Sequence, residues 1–309
     1  MAQITAAMVK QLREMTDSPM MECKKALVEA DGDMDAAVDV LRKNGLAKAA
    51  KKAGRETNEG AVAAFVSEDG KTGALLELSC ETDFVGSNAK FTGFASKVAE
   101  VVATTEPADV DALLEKPMGE ETVSSELTEM IHIMGENMKI SRFAARKAEN
   151  GALASYIHMG GKIGVLVNLE VSGGIDATVI GKDIAMQIAA LNPRFWDKSQ
   201  VSEDVLAEEK KILVAQMDND EKMASKPLQV KEKIAAGKMN KFFEENCLLQ
   251  QAFVKDGSVT VEQYMNSAAK ALGGSVKFVD AVRFEKGEGI EKKVDDFAAE
   301  VAAAAGLAK

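Results

Sequence analysis

Residues 60–78 read GAVAAFVSEDGKTGALLEL and residues 151–169 read GALASYIHMGGKIGVLVNL, and the two stretches align without a gap at an offset of 91. Eight of the 19 aligned positions are identical, including a Gly-Lys pair near the middle of each stretch. Two apolar runs joined by a glycine-bearing turn predict a β-hairpin in each copy. A helical pattern follows each hairpin, at residues 88–103 and 178–191. The duplication therefore predicts two related α+β subdomains.

Helical patterns flank this duplicated core. The first 54 residues contain three short apolar stripes at helical spacing, separated by turns at 17–19 and 32–33, and they predict a three-helix module. Residues 49–60 are expected to form an exposed linker after it. Two charged helical patterns within residues 203–246 predict an antiparallel helical hairpin, in which Val205, Ile212 and Met217 face Val230, Ile234 and Phe242.

Two further stretches, residues 139–149 and 275–287, have strand-like patterns, and both are expected to join the second sheet. The whole chain is thus predicted to be an α+β protein with antiparallel sheets. The expected division is 1–54, the three-helix module; 55–145, the first repeat; 146–286, the second repeat with the hairpin 203–246 inserted; and 287–309, a C-terminal helical module.

Composition narrows the class of protein. The chain has 309 residues, 46% of them hydrophobic and 28% charged, which is typical of a globular protein of two or three domains. We expect no secretory signal and no membrane span. The three cysteines, Cys23, Cys80 and Cys247, lie far apart, which indicates a reducing compartment and predicts a cytoplasmic protein.

The charge of the chain argues against nucleic acid as a partner. The formal net charge is −11, whereas phosphate binding requires a basic surface. Basic residues concentrate only around Lys48, Lys51, Lys52 and Arg55, where a solvated helix end is favoured over a docking patch.

Residues for covalent chemistry are scarce. His132 and His158 are the only histidines, and Cys80 with His158 is the only conceivable thiol–imidazole pair. A cysteine that ends a strand is more often a small buried side chain. The sequence contains no metal-ligand spacing and no phosphate-binding loop. We therefore expect no enzyme activity, no metal and no cofactor, and binding through surface complementarity instead.

The turn after the first hairpin is the most unusual stretch. Residues 79–91 read SCETDFVGSNAKF, whereas the second copy has VSGGIDATVIGK, without an aromatic residue. Asp83 could cap the next helix, and Phe84 could pack locally against Phe91 or Phe94. Because the second copy folds without such a residue, an exposed, partner-binding Phe84 is an equally good interpretation.

Several motifs resemble those of one family, the bacterial elongation factor Ts proteins. They are MMECKKAL (20–27), ELSCETDFV (77–85), MGENM (134–138), IGVLV (163–167) and RFEKGEGIEK (283–292). The resemblance extends over almost the whole chain. It implies a ubiquitin-associated-like helical module, a duplicated core, a protruding helical hairpin and a terminal helix. It also implies nucleotide exchange on the GTPase elongation factor Tu, without direct nucleotide binding.

The resemblance also implies roles for particular residues. In the family, an Asp-Phe pair reaches into the GTPase and displaces the groups that hold Mg²⁺ and phosphate. A Met pair on the helical module docks on the same partner. The matching positions here are Thr82, Asp83, Phe84 and Val85 in the turn, Met134 and Gly135, His158, Met20 and Met21 with Lys52 nearby, and Phe297 in the terminal helix. Met134 replaces an Ile of the family pattern.

Two other functions remain open from the residues themselves. The three-helix module is typical of adaptors that bind peptides or ubiquitin-like partners, with the core as a dimerisation scaffold. An enzyme that uses the Cys80 thiol is the third hypothesis. A homodimer through the 203–246 hairpin is a further expectation.

Overall fold

Helices and antiparallel strands alternate along residues 3–288, the part of the chain that the computed structural model describes. The helices are α1 (Ala6–Thr16), α2 (Met20–Glu29), α3 (Met34–Lys52), α4 (Asp83–Gly86), α5 (Ala89–Thr105), α6 (Val110–Leu114), α7 (Val123–Met134), α8 (Thr178–Leu191), α9 (Glu203–Asp218), α10 (Leu228–Asn246) and α11 (Val261–Ala271). The strands are β1 (Glu59–Val66), β2 (Thr72–Cys80), β3 (Pro117–Met118), β4 (Glu121–Thr122), β5 (Met138–Lys147), β6 (Gly151–His158), β7 (Ile163–Ser172), β8 (Ala252–Phe253), β9 (Asp256–Thr260) and β10 (Ser275–Glu285). The α+β class predicted from the sequence is confirmed.

The duplicated stretches fold into the two predicted hairpins. Strands β1 and β2 pair antiparallel, as do β6 and β7. Helix α5 packs against the first hairpin and α8 against the second, as the helical patterns predict. A glycine begins each copy, and a Cβ added to it would collide with the opposite strand. Such a Cβ would lie 2.1 Å from the Leu78 carbonyl oxygen at Gly60 and 1.7 Å from that of Leu169 at Gly151.

Strand β5 belongs to the first sheet, so its predicted place in the second sheet is wrong. It pairs antiparallel with β2 from Thr72–Lys147 to Cys80–Met138, and the sheet order is β1-β2-β5. β10 takes the equivalent edge of the second sheet, in the order β10-β7-β6, as predicted for residues 275–287. The apolar run of β2 is buried along its length, and such a central strand requires a neighbour on both sides. β5 extends two residues past the boundary expected at 145.

The repeat is therefore longer than the aligned hairpins. Each copy has a hairpin, a helix and a returning third strand, and each third strand contains a one-residue bulge. The β5 bulge lies opposite Glu77 and Leu78, and the β10 bulge lies opposite Asn168 and Leu169. These two positions differ by the same offset of 91 that relates the hairpins. A bulge bends its strand at a defined place, so the two sheets share a shape as well as an order.

Three apolar layers hold the core together. The first lies between the first sheet and α5, where Phe91 is fully buried. The second lies between the second sheet and helices α8 and α11. The third lies between the two sheets themselves, where Val62 and Leu75 of the first meet Leu153 and Leu166 of the second. The two copies thus share an interface in addition to their own cores.

The three predicted N-terminal helices form a small bundle around Leu12, Cys23, Leu27 and Leu41. Helix α3 continues to Lys52, so the first four residues of the expected linker are helical. Their Ala and Lys residues favour helix, and α3 packs along α7 of the core.

The predicted hairpin consists of α9 and α10, which pack against each other around Met217, Met239 and Phe242. The expected burial is confirmed for Met217 and Phe242, whereas Ile212 and Val230 are exposed. Val205, Leu206 and Leu213 are the partly buried side chains of α9 in the cluster around Phe242. Within residues 3–288, no helix is long and apolar enough to cross a bilayer. The predicted terminal helix, with Phe297, lies outside the described residues.

Candidate functional site

The turn that carries Phe84 is a single helical turn, α4, with Thr82 as its N-cap. The Thr82 hydroxyl oxygen accepts a hydrogen bond from the Val85 N–H at 3.4 Å. Asp83, which the sequence offers as a cap, is exposed, and its carboxylate has no hydrogen bond or ion pair among residues 3–288. Phe84 is 84% exposed, whereas Phe91 and Phe94 are buried. Local packing of Phe84 is therefore excluded.

Two carboxylates tie this turn to the turn between α7 and β5. The Thr82 N–H donates to Oε2 of Glu136 at 3.0 Å, and the Thr82 hydroxyl donates to Oε1 at 2.6 Å. In the opposite direction, the Asn137 N–H donates to Oε1 of Glu81 at 2.6 Å. The buried Asn137 amide donates to the Arg55 carbonyl at 2.8 Å, which adds the segment after α3 to the same assembly.

The second turn holds the next pair of predicted site residues. Gly135 ends α7 with φ +80°, a left-handed conformation that favours glycine. Apart from its chain neighbours, no described residue has an atom within 4 Å of where its Cβ would be. Met134 is partly buried against the first core layer. The Lys52 ammonium donates to the Ile131 carbonyl at 3.4 Å, and burial lowers the pKa of Lys52. The structure thus brings Thr82–Val85, Met134, Gly135 and Lys52 into one neighbourhood.

His158 lies on the second repeat, at the end of β6. The Tyr156 hydroxyl lies 2.9 Å from its Nδ1, which fixes the imidazole. The following turn packs on the first repeat, because a Cβ on Gly161 would lie 2.8 Å from that of Ala61. The α4 turn packs on the adjacent residue of β1, since a Cβ on Gly86 would lie 3.0 Å from the Gly60 carbonyl oxygen. The two turns therefore border the same end of β1.

Met20 and Met21 begin α2 and are 51% and 63% exposed. The turn before them is attached to the core by the Asp17–Lys90 ion pair, at 2.8 Å. Lys90 lies in the first turn of α5, immediately after the α4 turn. The exposed methionines are thus linked to the neighbourhood of Phe84, although no direct contact joins them.

Comparison with known proteins identifies the family. The model described as Elongation factor TS matches residues 81–288, which is more than half of the chain. The curated elongation factor Ts of Trichlorobacter lovleyi is 48% identical over 98% of this chain and 99% of its own length. Those of Clostridium perfringens and Clostridium kluyveri are 48% and 46% identical, over 97% and 96% of this chain. The chain belongs to the elongation factor Ts family. The resemblance inferred from the motifs is confirmed, and membership makes this chain a translation elongation factor.

The surroundings of Cys80 bear on the hypothesis of a thiol enzyme. Cys80 is buried, its thiol donates to the Thr82 carbonyl at 3.1 Å, and burial raises its pKa to about 12. A thiol enzyme requires a thiolate, so this environment disfavours one. Among residues 3–288, no group of three or more His, Cys, Asp or Glu side chains is placed to hold a metal ion.

Sequence reasoning missed the residues that hold the site in place. Glu81, Glu136 and Asn137 all lie within motifs, but no local pattern pairs residues more than 50 positions apart. Buried Glu77 is a second example. It accepts from Arg142 Nε at 2.7 Å and from the Gly287 N–H at 2.7 Å. The described chain therefore ends beside β2, the strand that leads into the α4 turn.

Proposed function

We propose that this chain is a guanine-nucleotide exchange factor for elongation factor Tu. It binds the GDP-loaded partner, inserts Asp83 and Phe84 near the Mg²⁺ and phosphate site, and stabilises the nucleotide-free partner. The exposure of Phe84, on a turn whose backbone is tied to a second turn, is the observation that carries the proposal. An aromatic ring in water gains free energy when a partner buries it.

The size of the effect follows from linkage. A factor that binds the nucleotide-free partner more tightly than the loaded one weakens GDP binding by the same ratio. Burial of one Phe side chain contributes roughly 1.5–3 kcal/mol. If this contact forms only in the nucleotide-free complex, it accounts for about a tenfold to hundredfold effect. A larger effect requires displacement of the groups on Mg²⁺ and phosphate. This role suits the exposed Asp83 carboxylate, which has no partner within residues 3–288.

Docking and exchange are divided between surfaces in this proposal. Met20, Met21 and Lys52 dock the helical module, and Phe297 contributes from the C-terminal segment. The Thr82–Val85 turn enters the partner. Met134 and Gly135, in the turn between α7 and β5, lie beside it with His158 and border the nucleotide site of the partner. The factor itself performs no covalent chemistry and uses no cofactor. Its place of action is the cytoplasm, where translation occurs.

Release of a fluorescent GDP analogue from elongation factor Tu tests the proposal. We expect strong acceleration by the wild-type protein and little by Phe84→Ala, while pull-down of the partner persists. Leu272→Ala is the matched control, because it removes another exposed apolar side chain far along the chain. Equal acceleration by wild type and Phe84→Ala would move the mechanism to Gly135 and His158. Loss of docking together with exchange would contradict the division of labour.

An adaptor function is the second candidate, and the exposed Val28 and Leu46 of the helical module favour it, at 56% and 59% exposure. These side chains add exposed apolar surface to the module, on α2 and α3. A pull-down from lysate separates the two proposals. A translation GTPase as the main captured protein supports exchange, and capture of other proteins by residues 1–54 alone supports an adaptor.

We also propose the division into 1–54, 55–145, 146–286 and 287–309 as functional units, and self-association through the 203–246 hairpin. The exposed Ile212, Leu228 and Val230 support the second point, because they place apolar surface on the hairpin. Sedimentation velocity of the wild type and of Ile212→Lys measures it, and an unchanged monomer in both would contradict it.

A further inference from the structure

We propose that Glu136 is a positioning residue for exchange: it holds the Phe84 turn and the Gly135 turn together as one rigid element for the partner. The inference rests on the proposed function and adds residues for which the motifs suggest no role. It starts from the direction of the hydrogen bonds, which run from one turn to the other rather than within either.

Every polar group of Thr82 forms a hydrogen bond. Its N–H and its hydroxyl both donate to the Glu136 carboxylate, its hydroxyl oxygen accepts from Val85, and its carbonyl accepts from Gly86 and from the Cys80 thiol. Bonds to a carboxylate are about twice as strong as neutral ones. The residue immediately before the exposed pair Asp83-Phe84 is therefore held more firmly than a surface turn requires.

The tie is reciprocal. Glu81 accepts a hydrogen bond from the N–H of Asn137, the residue after Glu136. Each turn thus donates a hydrogen bond to a carboxylate of the other turn. Glu136 itself follows Gly135, whose left-handed backbone ends α7. Phe84 lies two residues after Thr82, and Gly135 lies one residue before Glu136. The bonds thus fix the relative position of the two residues that would meet the partner near its nucleotide.

A rigid turn matters here because the exposed Phe84 ring is not held by packing in the core of this protein. Phe84 is 84% exposed, so its ring does little to hold the turn. The order of the turn comes from the bonds of Thr82 and from the packing of Val85 and Gly86 on the core. A turn that must be ordered during binding loses part of the binding free energy. If ordering is needed only when Phe84 enters the partner, the loss appears in the exchange step and not in docking through Met20 and Met21.

The test measures GDP release from elongation factor Tu across a range of factor concentrations. It separates the maximal release rate from the concentration at half-saturation. For Glu136→Ala we expect about a tenfold lower maximal rate, the effect of losing two charge-assisted bonds, with an unchanged half-saturation concentration. Glu136→Gln should retain most of the rate, because its amide can accept from the Thr82 N–H and donate to the hydroxyl oxygen. Glu120→Ala is the control, since it removes an exposed carboxylate with no such bond.

A double-mutant cycle completes the test. In the Phe84→Ala background, Glu136→Ala should lower the maximal rate by a smaller factor than in the wild type, because one of the residues that Glu136 positions is gone. Circular dichroism and the melting temperature establish that each variant is folded. Thr82→Val, which removes the hydroxyl that donates to Glu136, should also lower the maximal rate. A wild-type rate in Glu136→Ala, or a change in half-saturation alone, would overturn the inference while the proposed function stands. No acceleration by the wild type would overturn both.

Discussion

The imidazole of His132 in α7 lies 3.4 Å from the carboxylate of Glu22 in α2, across the boundary between the helical module and the core. Both ring nitrogens are buried and have no hydrogen bond to any residue of the described part of the chain, and the same holds for the Glu22 oxygen that faces them. Lys48 of α3 pairs with the other Glu22 oxygen, and Gly45 of α3 packs on the ring. A titratable group therefore lies in the surface that joins the two units.

The first prediction concerns the pH dependence of stability. Burial is the main cause of the lowered pKa of His132. The positive charges of Lys48 and Lys52 lower it further, whereas the charge of Glu22 opposes the shift. For a base with a lowered pKa in the folded protein, the unfolded chain binds more protons below about pH 6.5. Stability should therefore fall as the pH decreases through that value.

The melting temperature at pH 7.5 and pH 5.5 measures this effect. His132→Gln should reduce the difference between the two values, because it removes the titrating group. An identical difference in wild type and His132→Gln would refute the prediction.

The second prediction separates exposed from structural aromatic residues. Phe84→Ala should change the free energy of unfolding by no more than about 0.5 kcal/mol, because the ring is exposed. Phe91→Ala should lower it by about 3–5 kcal/mol, because it leaves a cavity between α5 and the first sheet. Urea denaturation of the two variants measures both values. A large loss for Phe84→Ala would mean that the ring stabilises the fold after all.

The third prediction concerns the glycine that begins each repeat. Gly151→Ala should destabilise the protein by about 1–3 kcal/mol, because its Cβ would meet the backbone of β7 and that strand would have to shift. Gly60→Ala should do the same in the first repeat. Gly93→Ala is the control. Gly93 lies within α5, and outside that helix no described residue has an atom within 4 Å of the added Cβ, so this variant should be more stable by up to about 1 kcal/mol. Equal effects at Gly151 and Gly93 would show that the close approach is unimportant.

The fourth prediction concerns the cysteines. Cys23, Cys80 and Cys247 are all buried, and burial raises the pKa of Cys80 to about 12 and that of Cys247 to about 11. A thiol reagent at pH 8 should therefore label the native protein slowly and all three thiols rapidly in denaturant. Under the proposed function, Cys80→Ala should accelerate GDP release as much as the wild type does. Rapid native labelling of Cys80, or lost activity in a folded Cys80→Ala protein, would revive the thiol-enzyme reading.

Local patterns were sufficient for most elements. The hairpins, α5, α8 and the α9–α10 hairpin follow from period and turn residues, which act over a few positions. The duplication added a comparison within one chain and drew attention to the residues around Phe84. Placement of β5 failed because edge pairing depends on which sheet has an open side, and a strand pattern carries no such information.

The sequence by itself determined the α+β class, the repeated hairpins and the family, because these depend on periodicity and motifs that are read along the chain. Only the tertiary structure decided that Phe84 is exposed, that Thr82 rather than Asp83 caps its turn, and that Glu136 and Glu81 join that turn to Gly135. Exposure and hydrogen bonding between distant segments depend on how the chain packs, and packing brings together residues that no local pattern relates.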